Sequence, residues 1–430
     1  MNQEYASKIE GLSDSNLEII NWEHTPPEWQ EKLKNTLATP PNYLIYPHNN
    51  EALAKIIKLA NKHGLTVMPC GSGSKLNWGG LRQDIDLVVS TQKLNQIIDH
   101  AVGDLTVTVE AGLKLKKLQE ILQQAGQFLP LDPAYPHDAT VGGIVATADA
   151  GSWRQRYGGV RDMLLGVSFI RADGEMAKAG GRVVKNVAGY DLMKLFTGSY
   201  GTLGIISQLT FRVYPLLSSS TTVVLIGEQN AIATAHQTLL KSSLTPTAAD
   251  LLSASLVQGL NLGVGMGLIV GFQSIRESVQ AQANDLETMG KNLGLTSSLY
   301  RDRDEENLWE RLREIMTISG SDRGITCKIG TLPNAAVKIL GSLNQGLGMI
   351  HGSSGLGRLY LESEVSVVKK MRSLCVEHQG FLSILTAPAV VKKQVEPWGY
   401  QGNALKIMQQ IKQQFDPQNI LNPGVFVGGI

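Results

Sequence analysis

Between Phe128 and Leu209, glycine recurs beside small or hydroxyl residues, almost every time at the mouth of an apolar segment. The stretch contains Leu131-Asp132-Pro133-Ala134 and Ala139-Thr140-Val141-Gly142-Gly143-Ile144-Val145-Ala146-Thr147. It continues through Arg154 to Arg161, with Tyr157-Gly158-Gly159, then Lys185 to Leu192 and Gly198 to Ile206. Upstream, Pro69-Cys70-Gly71-Ser72-Gly73-Ser74 has the same texture. Glycine lets backbone approach a ligand closely and turn N–H groups toward an anion. A single pair of this kind reads as a turn. Their succession suits a long dinucleotide, which must be approached along its length. The stretch is therefore expected to form a nucleotide-cofactor cradle.

The flanking periodicity sets the fold around it. Leu65 to Met68 and Ile85 to Val89 read as strands bracketing the loop Gly71 to Gly80. No helix follows that loop directly, which argues against the nicotinamide-binding Rossmann unit. Asn50 is expected to cap a helix with Leu53, Ile56, Ile57 and Ala60 on one stripe, stopped by Gly64. Leu105, Val107 and Val109 alternate as a strand, and Leu115 to Ala125 has helical spacing. Leu164 to Arg171 and Glu175 to Lys178 form a hairpin, and Ile205 to Val213 a strand that ends at Pro215. The expected class is α+β. Residues 1–41 form a polar lead-in, and 42–215 a cofactor-binding unit of two small sheets. Residues 216–395 form an antiparallel sheet with helices on one face, and 396–430 return to the cofactor unit.

Composition excludes several functions. The 430 residues leave room for two or three domains with buried cores. A net charge of +1 with 18% charged residues implies no nucleic-acid or acidic-membrane partner. Cys70, Cys327 and Cys375 are scattered, with no Cys-x-x-Cys, so no disulfide framework, metal site or iron–sulfur ligation is expected. Few cysteines and no leader-like N-terminus fit the cytoplasm. The apolar run Leu260 to Phe272 is too short to span a bilayer, so any membrane contact would be peripheral.

The segments around Cys70–Ser74, Ala139–Thr147 and Gly198–Ile206 resemble the FAD-binding domain of the vanillyl-alcohol oxidase and p-cresol methylhydroxylase flavoproteins. Lys185 to Leu192, Gly198 to Ile206, Phe415-Asp416-Pro417 and Leu421-Asn422-Pro423-Gly424 narrow this to a resemblance to the smaller flavin-binding subunits of bacterial glycolate dehydrogenases (glycolate oxidases). The likeness is dense from about Tyr46 to Pro215, thin beyond it, and returns at the tail. It implies FAD held by Cys70, Gly71, Ser72, Gly73, Ser74, Pro133, Thr140, Gly142, Gly143, Ala146, Tyr157, Gly158, Gly201, Gly204, Ile205 and Ile206. The diphosphate would lie on the amides of Gly71–Ser74 and Thr140–Gly143, with adenine and ribose along Gly201–Ile206. Arg154, Arg156, Arg161 and Lys185 are candidates for a cation near the reduced flavin ring. The loop carries no histidine for covalent attachment and Cys70 reads as a small buried residue, so FAD is expected to be non-covalent.

The resemblance also implies a cap domain over the flavin and a complex with a second flavoprotein and an iron–sulfur subunit. Oxidising a small 2-hydroxy acid needs a base for the hydroxyl proton and a cation for the carboxylate. His351 and His378 are weak candidates for the base, and Lys328 and Arg358 for the cation. The larger catalytic subunits of the family carry paired histidines, whereas each site here has one, so both histidines are expected to be structural. Two functions remain open: a subunit that itself oxidises glycolate or D-lactate, and a flavin-bearing partner that supports assembly or electron flow.

Overall fold

The computed structural model describes every residue except 1–6, 8, 13–14, 83, 183–188, 319–323, 344–345 and 363. The chain divides into two units: residues 1–150, 159–216 and 401–430 form one, and residues 151–158 with 217–400 the other.

In the first unit, four strands pair in the order Leu17–Asn21, Tyr43–Pro47, Leu87–Ser90, Val67–Cys70. The first pair is antiparallel and the others are parallel. Parallel strands are covered on both faces and so read as continuous apolar runs, as Tyr43–Pro47 and Leu87–Ser90 do, every residue of both being buried. On one face Ile45, Val67, Leu87 and Val89 pack against Leu53, Ile56, Ile57 and Ala60 of the helix Asn50–His63. Asn49, one residue before the expected cap, accepts from the amide of Ala52 at 2.8 Å, and Gly64 ends the helix at φ 64°. On the other face Leu44, Met68 and Val88 meet Trp29 and Leu33 of the helix Pro27–Lys34. The polar lead-in thus supplies an edge strand and a covering helix. Its apolar residues are too sparse for their spacing to have signalled either.

A second sheet is wholly antiparallel, in the order Ile97–Ala101, Thr106–Glu110, Ile205–Arg212, Leu164–Ile170, Met176–Gly180. The expected hairpin is its last pair. The tail joins the same unit through the helix Leu405–Phe415 and a parallel bridge between Val67 and Leu421.

The second unit is built on eight antiparallel strands: Thr296–Tyr300, Ser219–Gly227, Met266–Ser274, Ala248–Leu252, Leu347–His351, Leu356–Glu362, Gly324–Gly330 and Phe381–Thr386. Helices on one face only were expected; they cover both. Val223, Leu225, Leu268 and Val270 face the helices Gln229–Lys241 and Arg276–Asn292. Their neighbours Val224, Ile226 and Ile269 face Leu256 and Val257 of Ala254–Gly259 and Leu308, Leu312 and Met316 of Asp302–Ile318. A strand apolar at successive positions has two buried faces, and Val223 to Ile226 is such a run.

Candidate active site

In the first unit a cleft runs between three glycine-bearing segments. It is lined by 69–76, by Thr140, Gly142, Gly143, Ala146 and Thr147, and by Tyr200, Gly201 and Gly204–Ile206, with Arg82, Thr91 and Asn422 completing the wall. Local packing explains the glycines. A Cβ on Gly71 would stand 2.0 Å from Thr140 Oγ1, so the two loops meet only because that position has no side chain. Gly201 has φ +71° and follows Tyr200, itself left-handed at φ 55°; the turn needs glycine at one step and strains the other.

The loop after Val67–Cys70 is oriented by its carbonyls. Thr91 Oγ1 donates to Cys70 O at 3.2 Å, Ser90 Oγ to Gly71 O at 3.0 Å and Lys32 Nζ to Ser72 O at 3.4 Å. Among the described residues, none of the amide N–H groups from Gly71 to Ser74 has an acceptor within the chain. Four successive uncommitted donors beside a cleft suit a diphosphate. The second expected set differs. Val141 N–H donates to Leu113 O at 2.9 Å, Gly142 N–H to Ala111 O at 2.8 Å and Gly143 N–H to Thr140 Oγ1 at 3.2 Å. Those amides are spent holding the helix Val141–Thr147 in place, so that segment contributes wall and shape.

Two cations, Lys75 and Arg82, line this cleft among the described residues. Lys75 Nζ lies 3.0 Å from Asp149 Oδ2, and both side chains are buried. Arg82 donates through Nε to Asn422 Oδ1 at 2.9 Å and through Nη1 to Leu76 O. Asn422 Nδ2 donates in turn to Tyr200 O at 2.6 Å. Burial pulls the Arg82 guanidinium down to about 10, against the opposing pull of Cys70 and Tyr200. Burial pushes the Cys70 thiol up to about 12, although Arg82 and Ser90 favour the thiolate. Cys70 is therefore a neutral thiol at ordinary pH and a poor nucleophile.

Behind the wall, Lys412 Nζ donates to Asp416 Oδ2 at 2.6 Å, Thr202 O at 3.0 Å and Leu421 O at 2.9 Å. Asp416 also accepts from the amides of Ile420 and Leu421. One buried ion pair thus ties the final helix to two cleft-forming segments.

The second unit gathers a different chemistry. Asp250 and His351 are register partners on neighbouring strands, with His351 Nδ1 2.6 Å from Asp250 Oδ1 and both side chains buried. Ser152 Oγ donates to the other oxygen of that carboxylate. Just beyond, His236 is buried with Nε2 3.1 Å from Gly352 O, and desolvation lowers its pKa, so it is a neutral donor that holds the end of the His351 strand. On the next two strands Lys328 stands directly opposite Arg358, and Arg358 opposite Met349. Ile350, Leu359 and Cys327, the alternate residues of those strands, are fully buried in the core on the opposite face. His351, Arg358 and Lys328 therefore share one face of the sheet. His378 does not join them: it ends the helix Val365–Glu377, its amide bonded to Leu374 and Cys375 carbonyls.

Of the residues named from the sequence, Cys70 to Ser74, Thr140, Gly142, Gly143, Ala146, Gly201, Gly204, Ile205 and Ile206 line the cleft. Pro133 is buried outside that lining, and Tyr157 and Gly158 end the short helix Arg154–Tyr157 of the second unit. Arg156 and Arg161 are exposed. Lys185, with the rest of 183–188, falls outside the described residues. Arg82, Lys75, Thr91 and Asn422 were missed as wall residues. Asn422 had a signal, the Leu421-Asn422-Pro423-Gly424 motif; Arg82 had none but its place eight residues after Ser74.

Residues 41–180 match the FAD binding domain and residues 362–426 the C-terminal domain of FAD linked oxidases. A p-cresol methylhydroxylase structure superposes with a TM-score of 0.77 at 14% identity, covering 98% of this chain and 96% of that one. A 4-ethylphenol oxidase from Gulosibacter chungangensis does so at 0.77 and 17%, covering 99% and 97%. The chain has the fold of the p-cresol methylhydroxylase and vanillyl-alcohol oxidase flavoproteins, and FAD is its cofactor. Glycolate oxidase subunit GlcD of Bacillus subtilis is 25% identical over 416 residues, covering 89% of this chain and 88% of that protein. A probable mitochondrial D-lactate dehydrogenase of Danio rerio is 26% identical over 427 residues, covering 90% and 84%. Within the fold, the chain is an FAD-linked oxidoreductase of the glycolate oxidase and D-lactate dehydrogenase type.

Proposed function

We propose that the chain is the FAD-binding subunit of a dehydrogenase that oxidises a small 2-hydroxy acid, glycolate or D-lactate, to the 2-oxo acid. The observation that carries this reading is the shared face of His351, Arg358 and Lys328. Two cations on directly opposed register positions can hold a carboxylate by charge-assisted hydrogen bonds and so fix the substrate. His351 directs Nδ1–H at Asp250, which leaves Nε2 as the basic nitrogen for the hydroxyl proton. Asp250, held by Ser152, orients the ring and stabilises its charged form. FAD, when bound, supplies the acceptor for the two electrons and the α-hydrogen.

FAD would be held without a covalent bond, chiefly on the Gly71–Ser74 amides and against Gly143 and Gly201–Ile206. Electrons would pass to a second flavoprotein and an iron–sulfur subunit, in the cytoplasm or at its membrane face. None of the helices among the described residues is long and apolar enough to cross a membrane, which fits a peripheral association. The alternative, a flavin-bearing assembly subunit, is favoured by the absence of the paired histidines expected of a catalytic subunit. Glycolate- and D-lactate-dependent dye reduction by the chain co-expressed with its partners decides. R358M or K328M raising KM for the acid with unchanged flavin content supports the catalytic reading, and unchanged kinetics in both reject it.

A further inference from the structure

Arg82 is a charged group in the cofactor cleft whose hydrogen-bond partners, Asn422 Oδ1 and Leu76 O, are both neutral. Among the described residues half-buried Arg82 makes no ion pair, whereas the buried Lys75 of the same wall is matched by Asp149 at 3.0 Å. A half-buried guanidinium in a cleft with only neutral protein partners retains charge and donors for an anionic ligand. Its surroundings indicate what completes it. It lines the cleft together with Cys70 and Tyr200. Cys70 immediately precedes the four amides that have no acceptor within the chain, and no acidic side chain lines the cleft. The guanidinium has five N–H donors, and its protein partners engage two of them.

We propose that Arg82 is the charge-bearing recognition residue for the cofactor's diphosphate, acting with the amides of Gly71 to Ser74. The helix Val141–Thr147 offers no substitute, because its first amides are bonded to Ala111, Leu113 and Thr140. Asn422, reaching from the tail to both Arg82 and Tyr200, sets the guanidinium's position. This rests on the assignment of FAD and is independent of which acid is oxidised.

The test compares flavins that differ in phosphate content. Apoprotein is titrated with FAD, FMN and riboflavin, following flavin fluorescence, for the parent, R82Q and R82K. R82Q should weaken FAD about ten- to a hundredfold, the worth of a charge-assisted hydrogen bond. It should leave riboflavin, which has no phosphate, unchanged, with R82K between. Salt should weaken FAD binding by the parent more than by R82Q. Equal losses for riboflavin and FAD would place Arg82 on the ring system and overturn the proposal, as would an R82Q protein that binds FAD like the parent. Should R82Q not fold, the parent decides. Inorganic pyrophosphate should compete with FAD and raise the melting temperature of the apoprotein, and failure in both overturns the assignment. Neither readout requires turnover, so loss of the 2-hydroxy-acid reading leaves this result standing, and the reverse.

Discussion

His351 Nδ1 and Asp250 Oδ1 lie 2.6 Å apart across two neighbouring strands, 101 residues apart in the chain. The pair is buried, so the imidazole has one orientation. H351Q should lower substrate-dependent dye reduction on the order of 10²–10⁴-fold, the range of a general base. H378Q, at a helix end away from that face, should leave the rate nearly intact. The measurement is made on the partner-containing complex, with flavin content and melting temperature as controls. A rate loss confined to H378Q would reverse the assignment.

Gly142 and Gly143 should respond oppositely to substitution. A Cβ on Gly142 would stand 2.8 Å from Ala111 Cβ and O, whereas on Gly143 its only close neighbour is Thr140 Oγ1 at 3.2 Å. G142A should cost about 1–3 kcal/mol of stability by overpacking. G143V should fold and bind little FAD, because its side chain enters the cleft. Thermal melts and flavin content after desalting separate the two effects.

Removing one member of the Lys412–Asp416 pair leaves the other buried and uncompensated. K412M and D416N should each lower stability by about 3–5 kcal/mol, and the double variant by less than their sum. Chemical denaturation of the four proteins closes the cycle, and simple additivity would show that the two residues do not act as a unit.

Glu305 supplies a pH dependence of known sign. Its carboxylate accepts from Ser220 and Thr222, yet burial, the larger effect, raises its pKa above the ordinary 4.5. The folded chain therefore retains a proton that the unfolded chain releases. The stability Glu305 contributes is complete below 4.5 and is lost as pH rises through the folded value. E305Q should flatten that part of the stability curve. A parent-like slope in denaturation midpoints above pH 4.5 would contradict it.

On the proposed function, the isolated chain should turn over glycolate poorly and regain activity when co-expressed with the proposed second flavoprotein and iron–sulfur partners, since the electrons need an outlet. Yellow colour released by heat or acid from the isolated chain checks that the deficit is not missing cofactor. Full activity from the single chain would refute the need for partners.

The glycine-lined cleft was legible in the sequence because glycine leaves a local trace: wherever two backbones meet, the residue type itself reports it. The sequence disclosed less where function depends on long-range pairing. Asp250 reads as one carboxylate within a buried strand, and only the register opposite Leu347–His351 brings it to the histidine. Likewise Lys328 and Arg358 become neighbours through strand pairing that no periodicity specifies. The Thr140–Gly143 amides show the converse failure. Their composition suits a phosphate site, but Ala111 and Leu113, distant in sequence, had already claimed two of the donors.

Asn422 and the Lys412–Asp416 pair belong to the cofactor unit, although some 200 residues of a second unit are encoded between them and the cleft's other walls. During synthesis the two sheets of that unit can emerge and pair long before the tail leaves the ribosome. Until it does, Tyr200 O lacks Asn422, Thr202 O lacks Lys412, and the Arg82 side chain lacks its positioning partner. On the proposed role of Arg82, tight FAD capture falls among the last events in the chain's biogenesis. A nascent protein stalled before residue 405 would carry both units' sheets and a cofactor seat that is not yet locked.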